Sequence, residues 1–261
     1  MPLESGALEG KVALVTGGAK GIGRSVTDRI ARLGAHVIIN YCHAEEAAKE
    51  TEEELLGRGA SVELIRASVA REKSVRHLFE QVANRWPALD ILVNNAASGA
   101  FGSIRTLTEK DWTRAVDTNL YGTLRCSRSA AAMMHRGGVI CNLSSTGAHN
   151  TVPGYAAVGT TKAAVEALTR YLADEFAPLG IRVNCASAGP LDTPALSALA
   201  AGDSVHDSLV ARTPAARLGK GEDLARLVGF LVSPESDWIR GQTVVADGGL
   251  TLSSWPARDS R

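Results

Sequence analysis

The sequence predicts an α/β fold, a doubly wound parallel sheet of about seven strands with helices on both faces. Two observations carry that expectation. Short β-branched runs alternate with longer amphipathic stretches along the whole chain, and several of the runs are apolar at every position, as strands covered on both faces must be. No Gly/Pro/Ser-rich linker, internal repeat or low-complexity tract interrupts the alternation, so residues 1–261 read as a single domain.

In chain order the expected strands are Val12-Ala13-Leu14-Val15, Val37-Ile38-Ile39, Val62-Glu63-Leu64-Ile65, Leu89-Asp90-Ile91-Leu92-Val93, Val139-Ile140-Cys141, Ile181-Arg182-Val183 and Thr243-Val244-Val245. The last follows a helix around Leu224 to Val232 and closes one edge of the sheet. Between residues 190 and 218 the pattern breaks, with Pro190, Pro194 and Pro214 and few long apolar side chains. That stretch reads as a loop folded over a substrate.

Composition narrows the partners. The 28 basic and 28 acidic residues cancel, which leaves no excess positive field for nucleic acid or an anionic membrane surface. No run of about 18 apolar residues suits a membrane span. Cys42, Cys126, Cys141 and Cys185 form no C-x-x-C pair, and the six histidines show no metal-ligand spacing. The expectation is a cytoplasmic protein with a small-molecule or carrier-bound substrate and no metal.

Thr16-Gly17-Gly18-Ala19-Lys20-Gly21-Ile22-Gly23 lies where the first strand gives way to the first helix. Gly17, Gly21 and Gly23 permit a tight turn, and the backbone N–H groups from Lys20 through Ile22 to Gly23 would meet a pyrophosphate at a helix N-terminus. Glycine turns of this kind also occur for packing alone. The second strand ends Asn40-Tyr41-Cys42-His43 without the carboxylate that would bond a ribose 2′-hydroxyl. A 2′-phosphate is attracted instead by cations, here Lys20, Arg24 and His43, so NADPH is the expected cofactor. Solvated surface charges are the alternative reading of Lys20 and Arg24.

Asn94-Asn95-Ala96-Ala97 closes the fourth strand at the same sheet edge. With the glycine turn, it resembles the short-chain dehydrogenase/reductase family, a Rossmann-type fold, over nearly the whole chain. The resemblance implies that Asn95, Ala96 and Ala97 border the cofactor ribose and that Ser68 and Val69 border the adenine, although Ser68 stands where many members carry aspartate. It further implies that Gly189, Leu191 and Thr193, in Ala188-Gly189-Pro190-Leu191-Asp192-Thr193, approach the nicotinamide amide and phosphate. A homotetramer is the assembly it implies.

The family's usual tyrosine falls thirteen residues beyond a serine and four before a lysine. Thirteen residues beyond Ser145 stands Val158, while Lys162 keeps the lysine position. The available phenol is Tyr155, seven residues before Lys162 and just after Pro153-Gly154. This Y-x6-K spacing is similar to the type III enoyl-acyl-carrier-protein reductase subgroup, as are Asn94 to Gly99, Glu166 to Leu172 and Arg240 to Thr243. The spacing has a geometric rationale. In a ketone the atom receiving hydride lies about 1.2 Å from the oxygen that gathers charge, whereas in an enoyl thioester the two are roughly 3 Å apart. A phenol moved one helical turn back suits the second case.

The expected activity is therefore NADPH-dependent hydride transfer to the conjugated C=C of an enoyl thioester. Tyr155 stabilises or protonates the enolate, and Lys162 holds the nicotinamide ribose while favouring the ionised phenol. Ser145 has two equal readings, a hydroxyl on the thioester carbonyl or a cap for the following helix. Asn119 matches the family's helix asparagine, and its role is either relay or structure. The alternatives are a natural-product tailoring reductase acting on a ketone, imine or hemiaminal, and a non-catalytic NADP(H)-binding regulator.

Overall fold

The computed structural model describes residues 6–199 and 203–252. Seven parallel strands form one sheet: β1 (Val12–Val15), β2 (His36–Tyr41), β3 (Val62–Arg66), β4 (Ile91–Asn94), β5 (Gly138–Ser145), β6 (Ile181–Ala188) and β7 (Thr243–Ala246). Their order across the sheet is β3-β2-β1-β4-β5-β6-β7, with β7 at one edge as the sequence suggests.

Alternation along each strand divides the core into two layers. Ala13, Val15, Val37 and Ile39 face α1 (Gly21–Arg32), α2 (Glu45–Gly57) and α9 (Gly221–Val232), which supply Val26, Ile30, Leu55, Leu224 and Val228. Val12, Leu14, Ile38 and Leu92 face α3 (Glu72–Arg85), α5 (Gly122–Ala131) and α6 (Ala156–Glu175), which supply Leu78, Val82, Ala130 and Leu172. Leu14, Ile38, Ile39 and Leu92 are wholly buried, each worth about 1.5–3 kcal/mol of transfer from water. Between β4 and β5 the chain also forms α4 (Glu109–Ala115) and a π-helical turn, Val116–Tyr121.

One expectation needs correcting. The stretch expected as a loop contains two helices, α7 (Pro194–Leu199) and α8 (Asp203–Arg212). Pro194 opens α7 at its first position, where a missing N–H and a fixed φ favour the helix. Proline there marks a helix start, and it was read as a break.

Candidate active site

The strand order reverses between β1 and β4, and ligands of open α/β sheets lie in the crevice at the carboxyl ends of strands at such a point. The glycine turn is built there. Thr16 Oγ1 donates to Val93 O at 3.3 Å and accepts from the N–H groups of Asn95 and Ala96 at 3.0 and 3.1 Å. Asn95 Nδ2 donates to the carbonyls of Thr16 and Gly17 at 2.8 and 2.9 Å. Gly17 and Gly21 take positive φ. A Cβ at Gly23 would stand 2.1 Å from Gly17 O and 2.5 Å from Asn95 Nδ2. The first turn of α1 has no acidic residue, and its N-cap, Lys20, offers no side-chain cap. Its first N–H groups and the positive end of the helix dipole thus suit an anion.

Several expected cofactor residues prove to brace the site with their side chains. Asn40 is buried, accepts from Gly17 N at 3.4 Å, and donates to Ile65 O and Ala67 O at 3.2 and 3.1 Å. Asn95 is committed to the turn in the same way. Ser68 N donates to Ser74 Oγ at 2.8 Å, and Val69 is buried. On the opposite flank Gly189 N donates to Ala246 O at 3.0 Å. Leu191 is buried in the core beside Gly219, and Thr193 Oγ1 accepts from Leu196 N at 3.3 Å at the start of α7. Ile22 and Tyr41 are half-buried and pack on the core, Ala96 is half-buried, and Ala97 is exposed.

The cations at the end of β2 differ from those expected. Lys20 and His43 are exposed, but Arg24 is paired with Glu54, which Arg58 also holds at 2.5 Å. Arg24 and Arg58 thus share one carboxylate on the helix surface. Arg66, which the motif reading missed, pairs in register with Tyr41 and donates from Nε to Cys42 O at 3.1 Å. Glu45 lies 3.6 Å from its guanidinium. The signal for Arg66 was positional, since the ends of in-register parallel strands lie side by side.

The second group of residues lies where β5 runs into α6. Ser145 ends β5 and its Oγ accepts from Gly147 N at 3.2 Å, capping a short 3-10 turn. Tyr155 is the N-cap residue of α6, at the helix entry expected from Pro153-Gly154. Its ring lies against Gly147, where a Cβ would come within 2.7 Å of the phenol ring, and it stacks on Phe101 at a centroid distance of 6.0 Å. Burial pushes the phenol pKa up, and the Ser145 hydroxyl against it works the other way. Ser145 thus takes the capping role, on the 3-10 turn that precedes α6, and its hydroxyl also lies against the Tyr155 phenol. Phe101 was not singled out by any motif.

Lys162 is buried, and its Nζ donates to Leu143 O at 2.8 Å. Burial draws its pKa down to about 8. Val158, at the position of the usual tyrosine, is buried; a Cβ at Gly99 would come within 2.3 Å of its methyl group. Asn119 sits in the π-helical turn, accepting from Ser98 N at 2.8 Å and donating to Thr161 Oγ1 at 2.9 Å. Both ends of its amide therefore hold the loop after β4 to α6.

The chain is similar to known reductases and dehydrogenases over most of its length. A family described as Enoyl-(Acyl carrier protein) reductase matches residues 17–251. A 3-oxoacyl-acyl-carrier-protein reductase of Staphylococcus aureus is 36% identical over 244 residues, 93% of this chain and 98% of that protein. A 1-cyclohexenylcarbonyl-CoA reductase of Streptomyces collinus is 36% identical over 248 residues, 94% of this chain and 89% of that protein. Among solved structures, a gluconate 5-dehydrogenase from Burkholderia cenocepacia, in complex with NADP and tartrate, superposes with a TM-score of 0.89. It is 32% identical, with 96% of this chain and 99% of that chain covered.

Proposed function

This chain belongs to the short-chain dehydrogenase/reductase family of oxidoreductases, and from that premise we propose that it uses NADPH to reduce a carbon–carbon double bond conjugated to a thioester carbonyl. The observation that carries the reading is the placement of the phenol. Tyr155 is drawn back to the N-cap of α6, while Val158 fills the nearer position with an inert methyl-bearing side chain.

The residues at the sheet edge fit a dinucleotide. The positive-φ glycine turn, with open space beside Gly21, and the uncapped α1 N-terminus suit a pyrophosphate. Lys20, His43 and Arg66 suit a 2′-phosphate, and no carboxylate ends β2. Bound there, the cofactor supplies a hydride. The NADP held by the gluconate 5-dehydrogenase neighbour supports the same choice.

The chain's own residues then have distinct tasks. Tyr155 hydrogen-bonds the thioester oxygen as negative charge gathers on it, and a raised phenol pKa keeps the proton available for donation. Ser145, touching the phenol, orients it and shares the oxygen. Lys162 contributes a positive charge held in a water-poor environment, where charge acts strongly. Helix α7 reaches the turn before Tyr155, where Leu199 lies beside Gly154, so substrate preference is assigned to the segment that holds α7 and α8. The family further suggests a homotetramer, which a light-scattering mass of one chain would refute.

The test is NADPH oxidation by the full-length protein with crotonyl thioester beside a 3-oxoacyl thioester, simple ketones and cyclic imines. Turnover of the crotonyl substrate to a saturated thioester is expected, with NADPH preferred over NADH. Fast reduction of the 3-oxoacyl thioester with an inert crotonyl substrate would replace this reading by carbonyl reduction. The similarity to the Staphylococcus aureus 3-oxoacyl reductase supports that second reading, in which a ketone, imine or hemiaminal takes the enoyl group's place.

A further inference from the structure

The scheme above leaves one buried acid unused. Glu166 lies one helical turn beyond Lys162 on α6, and the two are 3% and 7% exposed. Consecutive residues of β5 hold them: Leu143 O accepts from Lys162 Nζ, and Ser144 Oγ donates to Glu166 Oε1 at 2.6 Å. The other carboxylate oxygen, Oε2, meets His149 Nε2 at 2.5 Å, and that imidazole is 61% exposed. Both carboxylate oxygens are therefore partnered, one by a hydroxyl and one by an imidazole nitrogen that can donate to it.

A carboxylate taken out of water is costly unless hydrogen-bonded and matched by an opposite charge. Ser144 and His149 supply the hydrogen bonds, and the buried ammonium one turn away supplies the charge. The other titratable groups set against this pair are Cys185 from β6 and Arg170, whose guanidinium donates to the Glu166 main-chain carbonyl at 3.2 Å. Burial pushes the Cys185 thiol up to about 12, leaving it neutral near pH 7. Against the desolvation that draws Lys162 down, the carboxyl group one turn along α6 is Glu166.

We propose that Glu166 is a positioning residue that keeps Lys162 in its ammonium form inside the protein, and that Ser144 and His149 keep Glu166 ionised. The proposal rests on the role given to Lys162 above, and it extends the active site to a surface histidine thirteen residues before the lysine. A carboxylate that merely docked the β5–α6 connection would affect folding and leave the lysine's protonation unchanged.

The test follows Lys162 directly. Full-length protein carrying 13C-labelled lysine, with NADP+ added, is titrated from about pH 6 to about pH 10, and the resonance is assigned with Lys162→Met. The wild-type midpoint should lie near about 8. In Glu166→Gln it should fall by about one pH unit, and the alkaline limb of kcat/KM should move down with it. His149→Ala should shift both in the same direction by less, and His149→Gln, whose amide can donate to the same oxygen, should restore the wild-type values. His149 is exposed, so that pair decides the matter if Glu166→Gln does not fold. A wild-type midpoint in Glu166→Gln, or in His149→Ala should the former not fold, overturns the proposal. If no acceptor is turned over, the functional reading fails, and the titration still decides the role of Glu166.

Discussion

The two ends of the crevice are built differently. At the glycine turn the polar side chains of Thr16, Asn40 and Asn95 are bonded to main chain, and what faces the ligand is largely backbone. Where β5 meets α6, backbone braces side chains: Leu143 O holds Lys162, and the Gly147 main chain leaves room for the Tyr155 ring. A site made of backbone tolerates little change and serves one cofactor. A site made of side chains changes its chemistry when a phenol moves by one turn.

The largest effect should come from the side-chain end. Tyr155→Phe keeps the stack on Phe101 and loses only the hydroxyl, so turnover with the accepted substrate should fall about 10²- to 10⁴-fold, with NADPH binding close to wild type. Equal losses in turnover and NADPH affinity would show that the phenol shapes the cofactor site, and the contrast between the two ends would disappear.

The converse change is Gly23→Ala. Its Cβ would stand 2.1 Å from a carbonyl oxygen and 2.5 Å from the Asn95 amide, and the first contact is with backbone that cannot swing aside. Forced overpacking costs about 1–3 kcal/mol, so NADPH affinity should weaken roughly tenfold to a hundredfold, as read by fluorescence titration. A variant that binds NADPH normally would mean that the turn opens without penalty.

What was legible in the sequence follows the same division. All seven strands and the glycine turn could be read because short β-branched apolar runs and glycine chemistry are local properties. The helix entry at Tyr155 was also local, marked by Pro153-Gly154. That Asn40 ties the glycine turn to β3 through its amide could not be read, because strand pairing and not chain neighbours decides where that side chain points. Arg24 was offered to a phosphate and is held by Glu54, thirty residues away. The pairing of Glu166 with Ser144 and His149 likewise needs the β5–α6 packing, and no motif encodes it. The helices after Pro194 were missed because proline was taken as a breaker in a segment where it starts a helix.

A smaller effect sharpens the cofactor side. Arg66→Gln removes the cation missed in the sequence from the end of β3, while Lys20 and His43 remain. A charge-assisted bond is worth about 1.5–3 kcal/mol when buried, and this exposed guanidinium, with Glu45 nearby, is worth less. NADPH should bind severalfold to about tenfold more weakly, with NADH unchanged. Equal weakening of both would place Arg66 away from the 2′-phosphate.

The smallest effect tests how rigidly the phenol is held. Phe101 is 39% exposed and lies nearly parallel to the Tyr155 ring, with 17° between the planes. An aromatic pair contributes about 0.5–1.5 kcal/mol beyond simple burial, so Phe101→Leu keeps most of the apolar contact and loses the stacking preference. Turnover should fall only severalfold, NADPH affinity should not change, and KM for the acyl substrate should rise if Phe101 also forms part of its wall. If Phe101→Leu instead matched the loss caused by Tyr155→Phe, the phenol would depend on its neighbour for alignment, and the working unit of this end would be the ring pair, not the tyrosine alone.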